Sequence, residues 1–284
     1  LDGKYTDQLE TVLFNGALSG IARDGEHYFY ENVLESHGQN RRWKWHYCPC
    51  CPTNIARFIT SLGKYFYTTK GNEIAVHLYG ANVAEFDLDG TFVRLRQDTA
   101  YPWDGDIRIA LGLFQPADLT LKLRIPGWCR GARATLNGRD IPLVPVKGYA
   151  ELSGTFEDGD ELRLSFDMPV ERLYAHPAVG EDAGRVALRR GPVVYCVEEA
   201  DIGTEPQRLR IAPDARLEPR YDADLLGGAV VLEGEGYEAA ADGFDGGLYR
   251  TAPPALKPKP FRAIPYHLWA NREAGAMQVW LAEK

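Results

Sequence analysis

The stretch Leu119-Thr120-Leu121-Lys122-Leu123-Arg124-Ile125 alternates apolar and polar residues with a period of two. A β-strand sends successive side chains to opposite faces, so this pattern makes one apolar face and one solvated face. Working outward, the same alternation returns in Ile74-Ala75-Val76-His77-Leu78-Tyr79, Thr91-Phe92-Val93-Arg94-Leu95, Ile107-Arg108-Ile109-Ala110-Leu111 and Glu161-Leu162-Arg163-Leu164-Ser165-Phe166. Gly, Pro, Asn and Asp separate the runs, and Asn137-Gly138 and Asp158-Gly159 are strong turn signals. Short alternating strands at this spacing predict an antiparallel β-sandwich over residues 72–170. A second β block begins near Glu171. Arg185-Val186-Ala187-Leu188 and Val193-Val194-Tyr195-Cys196-Val197 bracket Arg190-Gly191-Pro192 there, and Phe261–Tyr266 and Met277–Leu281 complete it. Residues 204–260 are richer in Gly, Pro, Asp and Glu and are expected to hold long loops between a few strands. Residues 171–284 therefore read as a second antiparallel sandwich.

Upstream of Asn72 the period changes to that of a helix. Tyr5, Leu9, Val12, Leu13 and Leu18 fit one helix closed by Gly20. Ile55, Phe58, Ile59, Leu62 and Phe66 fit a second, starting at 52–54 and running to about Tyr67. Between them, Gly25-Glu26-His27-Tyr28-Phe29-Tyr30 suits a hairpin or a loop over a pocket. The fold class is mixed and mainly β: a helical piece over 1–71, then the two sandwiches.

With 45% apolar and 25% charged residues, the chain has the composition of a globular protein with sizeable cores. A net charge of −8 without a basic stripe argues against nucleic acid or an anionic membrane as partner. No apolar run reaches transmembrane length. The chain opens on Leu1-Asp2-Gly3-Lys4 with neither an initiator Met nor a signal peptide, which reads as a cut made inside a larger protein. Unpaired cysteines point to the cytoplasm. The densest basic patch, Arg41, Arg42 and Lys44, interleaves with Trp43 and Trp45. Two readings stand for it: aromatic faces lining a carbohydrate pocket, or a surface strand of snorkelling side chains.

Chemistry concentrates in Tyr47-Cys48-Pro49-Cys50-Cys51-Pro52, which holds three of the five cysteines; Cys129 and Cys196 are the others. An odd count and so short a loop make a disulfide scaffold the weakest reading. Soft-metal or thiolate chemistry leads, with a buried cysteine pair capping a core helix as the bland alternative. Just before a helix N-terminus, unpaired amides and the positive dipole end favour a thiolate. Pro49 and Pro52 bias Cys48 and Cys51 towards extended conformations. In an extended run Cys50 and Cys51 face opposite ways, so both reach one ion only if the chain turns between them. The histidines, His27, His37, His46, His77, His176 and His267, form no His-x-His or His-Glu-x-x-His motif. His46 beside the cysteines is a ligand, a pocket hydrogen-bonder or simply a strand-edge histidine. Glu10 belongs to a solvated helix face unless that helix lines a cavity. Cys129, after Trp128, reads as sandwich core.

Cys48-Pro49-Cys50-Cys51-Pro52-Thr53-Asn54-Ile55-Ala56-Arg57, together with Tyr5–Gly20 and Phe29-Tyr30-Glu31-Asn32-Val33-Leu34-Glu35-Ser36, resembles glycoside hydrolase family 127, the β-L-arabinofuranosidase family. The likeness continues through Leu123-Arg124-Ile125-Pro126-Gly127-Trp128, Arg189-Arg190-Gly191-Pro192 and Ala263-Ile264-Pro265-Tyr266. It implies the terminal helices of an (α/α)6 barrel over 1–71, followed by the two sandwiches. It also implies one zinc ion held by three cysteines and a glutamate, and a retaining mechanism with a cysteine nucleophile. By position, Cys50 would be nucleophile and zinc ligand and Cys51 the second ligand. The third cysteine, the glutamate ligand and the acid/base glutamate would precede Leu1, so this stretch alone is expected to be inactive. Tyr30, Glu10, His46 and Trp45 are the candidate contacts to an arabinose-containing glycan, and a second copy of the chain is a candidate partner.

Retention at an anomeric carbon ordinarily takes two carboxylates about 5 Å apart. A thiolate serves as the nucleophile if it is kept deprotonated and aimed. Zinc then orients the sulfur rather than activating water. Cys51, pinned by Pro52, suits a fixed ligand, and Cys50 is freer to face the sugar. The competing readings are a non-catalytic carbohydrate-binding sandwich protein with a structural zinc knuckle, and a thiol redox or peptidase site.

Overall fold

Strand Ala117–Arg124 buries Leu119, Leu121 and Leu123 and turns Thr120 and Lys122 outward, as the alternation requires. It lies in a four-stranded sheet ordered Tyr149–Phe156, Ala117–Arg124, Glu73–Val76, Tyr67–Lys70. A six-stranded sheet runs Asn82–Leu88, Thr91–Thr99, Asp106–Leu113, Glu161–Phe166, Ala132–Leu136, Arg139–Ile141. Alternate residues of that sheet, among them Val93, Leu95, Ile107, Ile109, Leu162 and Leu164, are buried. The computed structural model describes residues 1–244 and 246–284. It forms two compact units: Leu1–Leu13 with Thr53–Pro169, and Phe14–Pro52 with Val170–Lys284. Residues 1–71, expected as one helical piece, are thus shared between the units.

The first unit corrects four expectations. Glu73–Val76 pairs in parallel with Ala117–Arg124, so the sheets are not wholly antiparallel. The strands between these two belong to the other sheet, and so long an excursion allows the chain to return in the same direction. The helix Gly3–Thr11, capped by the Asp2 side chain, continues as a π segment Val12–Ala17 and a 3₁₀ turn Leu18–Gly20. Tyr5 is 71% exposed and Val12 faces out, whereas Glu10 is 1% exposed. Glu10 Oε1 accepts from Arg124 Nη2 at 2.5 Å and from the Tyr101 hydroxyl at 2.5 Å, and Oε2 accepts from Trp128 Nε1 at 3.0 Å. A carboxylate so enclosed and saturated holds the fold; it is not a sugar contact. Cys129 lies half-buried in the loop after Arg124, its thiol donating to the Gly131 carbonyl at 3.1 Å, and so falls outside the core.

The second unit holds a ten-stranded sheet that closes on itself. Arg185–Arg190 pairs with Val193–Glu198, then Leu256–Pro265, Ala229–Ala239, Leu209–Ile211 and Leu281–Glu283, which returns to Arg185–Arg190. Val186, Leu188, Tyr195, Val197, Ile211, Leu232 and Phe261 fill a common core. Leu209–Ile211 and Leu281–Glu283 run parallel, so the expected antiparallel sandwich is a ring of mixed direction. Cys196 is buried within it and remains a thiol. The stretch 14–52 is stitched to this sheet. Glu35–His37 pairs with Ala276–Gln278, the Tyr266 hydroxyl donates to the Val33 carbonyl at 2.9 Å, and Asn15 bonds the Pro192 carbonyl at 2.9 Å and the Val194 N–H at 2.8 Å.

Candidate functional site

The helix after the cysteines spans Cys50–Ser61, so Cys50 and Cys51 are its first two residues rather than its prelude. Pro52 costs nothing there, because N–H groups of a first helical turn have no intrahelical acceptor. Cys51 therefore turns into the helix instead of being held extended. The turn brings the two sulfurs to 3.7 Å from each other. Cys50 is exposed and Cys51 half-buried.

A cluster of aromatic rings is tied to the backbone of Cys48, two residues before Cys50. The Tyr30 ring lies 4.7 Å from the His46 ring, Trp43 meets His46 edge-on at 5.3 Å, and Tyr47 lies 4.2 Å from His46. Tyr28 packs edge-on against Tyr30 at 5.6 Å. The Tyr30 hydroxyl donates to the Cys48 carbonyl, and the Cys48 N–H donates to His46 Nδ1 at 3.3 Å. Desolvation, then the Tyr28 hydroxyl and the Cys50 and Cys48 thiols, push the Tyr30 phenol up to about 12, so it keeps its proton and acts as a donor. Trp45 and Tyr47 are 72% and 89% exposed.

The cluster is anchored from behind. Tyr28 and Trp43 exchange backbone hydrogen bonds of 2.9 and 2.7 Å. Arg42 donates to the carbonyls of Ser19 and Trp269 at 2.9 Å each, and its guanidinium lies 4.4 Å over the Phe29 ring. Phe29 in turn stacks on Trp269 at 4.8 Å. Burial pulls the Arg42 guanidinium down to about 10. Arg42 is therefore a built-in anchor, neither a surface cation nor a sugar ligand. Sequence reading grouped it with Arg41 and Lys44 and passed over Tyr28; an Arg inside an aromatic run was the available signal.

Of the residues singled out from sequence, Tyr30 and His46 meet at the Cys48 backbone, Cys50 and Cys51 bring their sulfurs together just after it, Trp45 is exposed, and Glu10 lies in the other unit. Zinc bound tetrahedrally by thiolates at about 2.3 Å sets neighbouring sulfurs about 3.8 Å apart. The observed 3.7 Å fits two vertices of such a site. Among the described residues, no group of three or more His, Cys, Asp or Glu converges on one ion. The chain brings two thiols, in the right relation, to the start of a helix.

Three family models match consecutive stretches: the β-L-arabinofuranosidase GH127 catalytic domain over residues 1–64, the GH127 middle domain over 73–168 and the glycoside hydrolase family 127 C-terminal domain over 170–282. A non-reducing end β-L-arabinofuranosidase of Bifidobacterium longum subsp. longum is 37% identical over 302 residues, covering 98% of this chain and 45% of that protein. A crystal structure of a GH127 β-L-arabinofuranosidase from Geobacillus stearothermophilus T6 superposes with a TM-score of 0.95 at 43% identity, over 100% of this chain and 47% of the other. A second GH127 β-arabinofuranosidase structure gives 0.92 at 34% identity, over 100% and 46%. The chain spans about half the length of the relatives it matches.

Proposed function

This chain belongs to glycoside hydrolase family 127, and on that footing we propose that it supplies the nucleophile of a retaining glycosidase that hydrolyses β-L-arabinofuranosides, with Cys50 as the attacking thiolate. The observation that carries the reading is the exposed Cys50, its sulfur 3.7 Å from that of Cys51 at the first turn of a helix, two residues after the Cys48 peptide that Tyr30 and His46 bond. Relatives named as β-L-arabinofuranosidases support the substrate class. In the first step the Cys50 sulfur forms a bond to the anomeric carbon as the bond to the leaving oxygen breaks, and that oxygen takes a proton from an acid. In the second, water gives a proton to the now deprotonated acid and attacks the anomeric carbon from the face opposite the sulfur, which leaves as the thiolate, so two inversions give retention. Cys51 fixes the position of its neighbour, and its lower exposure suits a ligand better than an attacker. Zinc, when bound by the two sulfurs and further ligands, would keep the thiols deprotonated and aimed. The aromatic rings offer apolar faces to the C–H side of a sugar.

The same reading treats Gly3–Thr11 and Cys50–Ser61 as members of an (α/α)6 barrel. Tyr5, Val12, Ile59 and Tyr65 are exposed apolar residues on or beside those helices, which suits faces that pack against further helices. The test is a pair of variants in the full-length zinc-loaded enzyme. Cys50→Ser should lose turnover by about 10³-fold or more while Cys51→Ser chiefly lowers zinc content, and a chelator should abolish activity that added zinc restores. Full turnover by Cys50→Ser would remove the nucleophile from this residue.

A further inference from the structure

We propose that Tyr30 and His46 form a clasp on the Cys48 peptide that aims the Cys50 sulfur, acting as positioning residues rather than sugar ligands; this rests on the reading of Cys50 as nucleophile. Both hydrogen-bonding groups of Cys48 are taken, one by each residue. Its carbonyl accepts from the Tyr30 hydroxyl, and its N–H donates to His46 Nδ1. Between this clasped residue and Cys50 stands only Pro49, whose ring fixes φ. Cys50 itself is already helical. The backbone from clasp to Cys50 is therefore closely held, which leaves the Cys50 χ1 as the main torsion that moves the sulfur, so holding Cys48 narrows where the thiol can stand.

The clasp also holds itself. The Tyr30 and His46 rings touch at 4.7 Å, and Trp43 and Tyr47 press on His46 at 5.3 and 4.2 Å. His46 takes its part through Nδ1, which accepts the Cys48 N–H at 3.3 Å. Tyr30 can serve only as long as it keeps its hydroxyl proton. A nucleophile must be delivered close to its in-line approach, and misplacement by about 1 Å can cost about 100-fold in rate. A rigid two-point hold two residues away accomplishes that without touching the substrate.

The experiment uses the full-length zinc-bound enzyme carrying Tyr30→Phe, His46→Leu or His46→Asn, the last placing an amide oxygen where Nδ1 accepts. Tyr30→Phe and His46→Leu should lower kcat about 10- to 100-fold with KM changed less than about threefold and zinc content unchanged. His46→Asn should recover most of the loss. A second readout is independent of turnover. Iodoacetamide labelling followed by peptide mass mapping should favour Cys50 in the unmodified enzyme and spread to Cys48 and Cys51 in Tyr30→Phe and His46→Leu. A rise in KM alone would make these residues sugar contacts and overturn the proposal. So would His46→Asn behaving like His46→Leu, or an unchanged labelling pattern. If the nucleophile assignment itself fails, Cys50→Ser stays active. If only the clasp fails, Cys50→Ser is dead while Tyr30→Phe and His46→Leu keep their kcat.

Discussion

Arg124 is the residue at which strand alternation breaks down. Its position places it on the solvated face with Thr120 and Lys122, yet it is fully buried. Its guanidinium donates to the His77 carbonyl at 2.6 Å, to Asp7 Oδ1 at 2.7 Å and to Glu10 Oε1 at 2.5 Å. Each of its three nitrogens donates, two of them to carboxylates, which is what makes a buried charge tolerable. Replacing Glu10 by Leu leaves the cation without its main partner and should cost about 3–5 kcal/mol, read as a fall in the urea midpoint. Glu10→Leu with Arg124→Met should cost clearly less than the sum of the single changes, and strict additivity in that cycle would contradict the coupling. Period-two reading finds the inward residues of Ala117–Arg124 because burial follows the pleat. It misjudges Arg124 and Glu10 because their partnership joins positions 114 apart, and no local pattern carries that information.

At the scale of elements, alternation was readable wherever apolar side chains supplied it: Asp106–Leu113 and Glu161–Phe166 lie where the pattern puts strands. Ala229–Ala239 and Leu256–Pro265 fall largely in the stretch expected to be loop-rich, yet they pair along eight rows. The sequence Glu233-Gly234-Glu235-Gly236 conceals a strand because its glycines are spacers, not breakers. A Cβ on Gly236 would lie 2.8 Å from the Arg210 carbonyl oxygen, and one on Gly234 would lie 2.9 Å from Leu217 Cδ2. Gly236→Ala should therefore destabilise by about 1–3 kcal/mol through overpacking, measured by thermal unfolding. A neutral result would mean that the neighbouring strand shifts freely. The cysteine helix was placed two residues late for a different reason. Proline's local bias on its predecessor predicts a later start, but a first helical turn tolerates proline, and here the helix wins.

For the molecule as a whole, mainly β character and a boundary near residue 170 were legible, whereas the sharing of residues 1–71 between the two units and the ring closure of the second were not. Closure depends on which strands meet, through Leu209–Ile211 and Leu281–Glu283, and those are three-residue strands with no pattern of their own. The second unit also carries a pH dependence. Desolvation, with Arg23 and Arg42 nearby adding to it, pulls the His267 imidazole down to about 4 against an ordinary 6.5. Between those values the unfolded chain takes up a proton that the folded chain does not, so stability rises with pH through this window and is complete above about 6.5. Denaturant midpoints should fall from pH 7 to pH 5 more steeply for the unmodified chain than for His267→Asn, and equal slopes would contradict this.

The central claim is that Cys50 carries the covalent step. Full-length enzyme should be inactivated with an arabinofuranose-configured cyclic epoxide or haloacetamide, digested and mapped by mass spectrometry. One adduct per chain is expected, on the Cys50 sulfur, formed in competition with substrate. An adduct on Cys51, on Cys48 or on a carboxylate would contradict it.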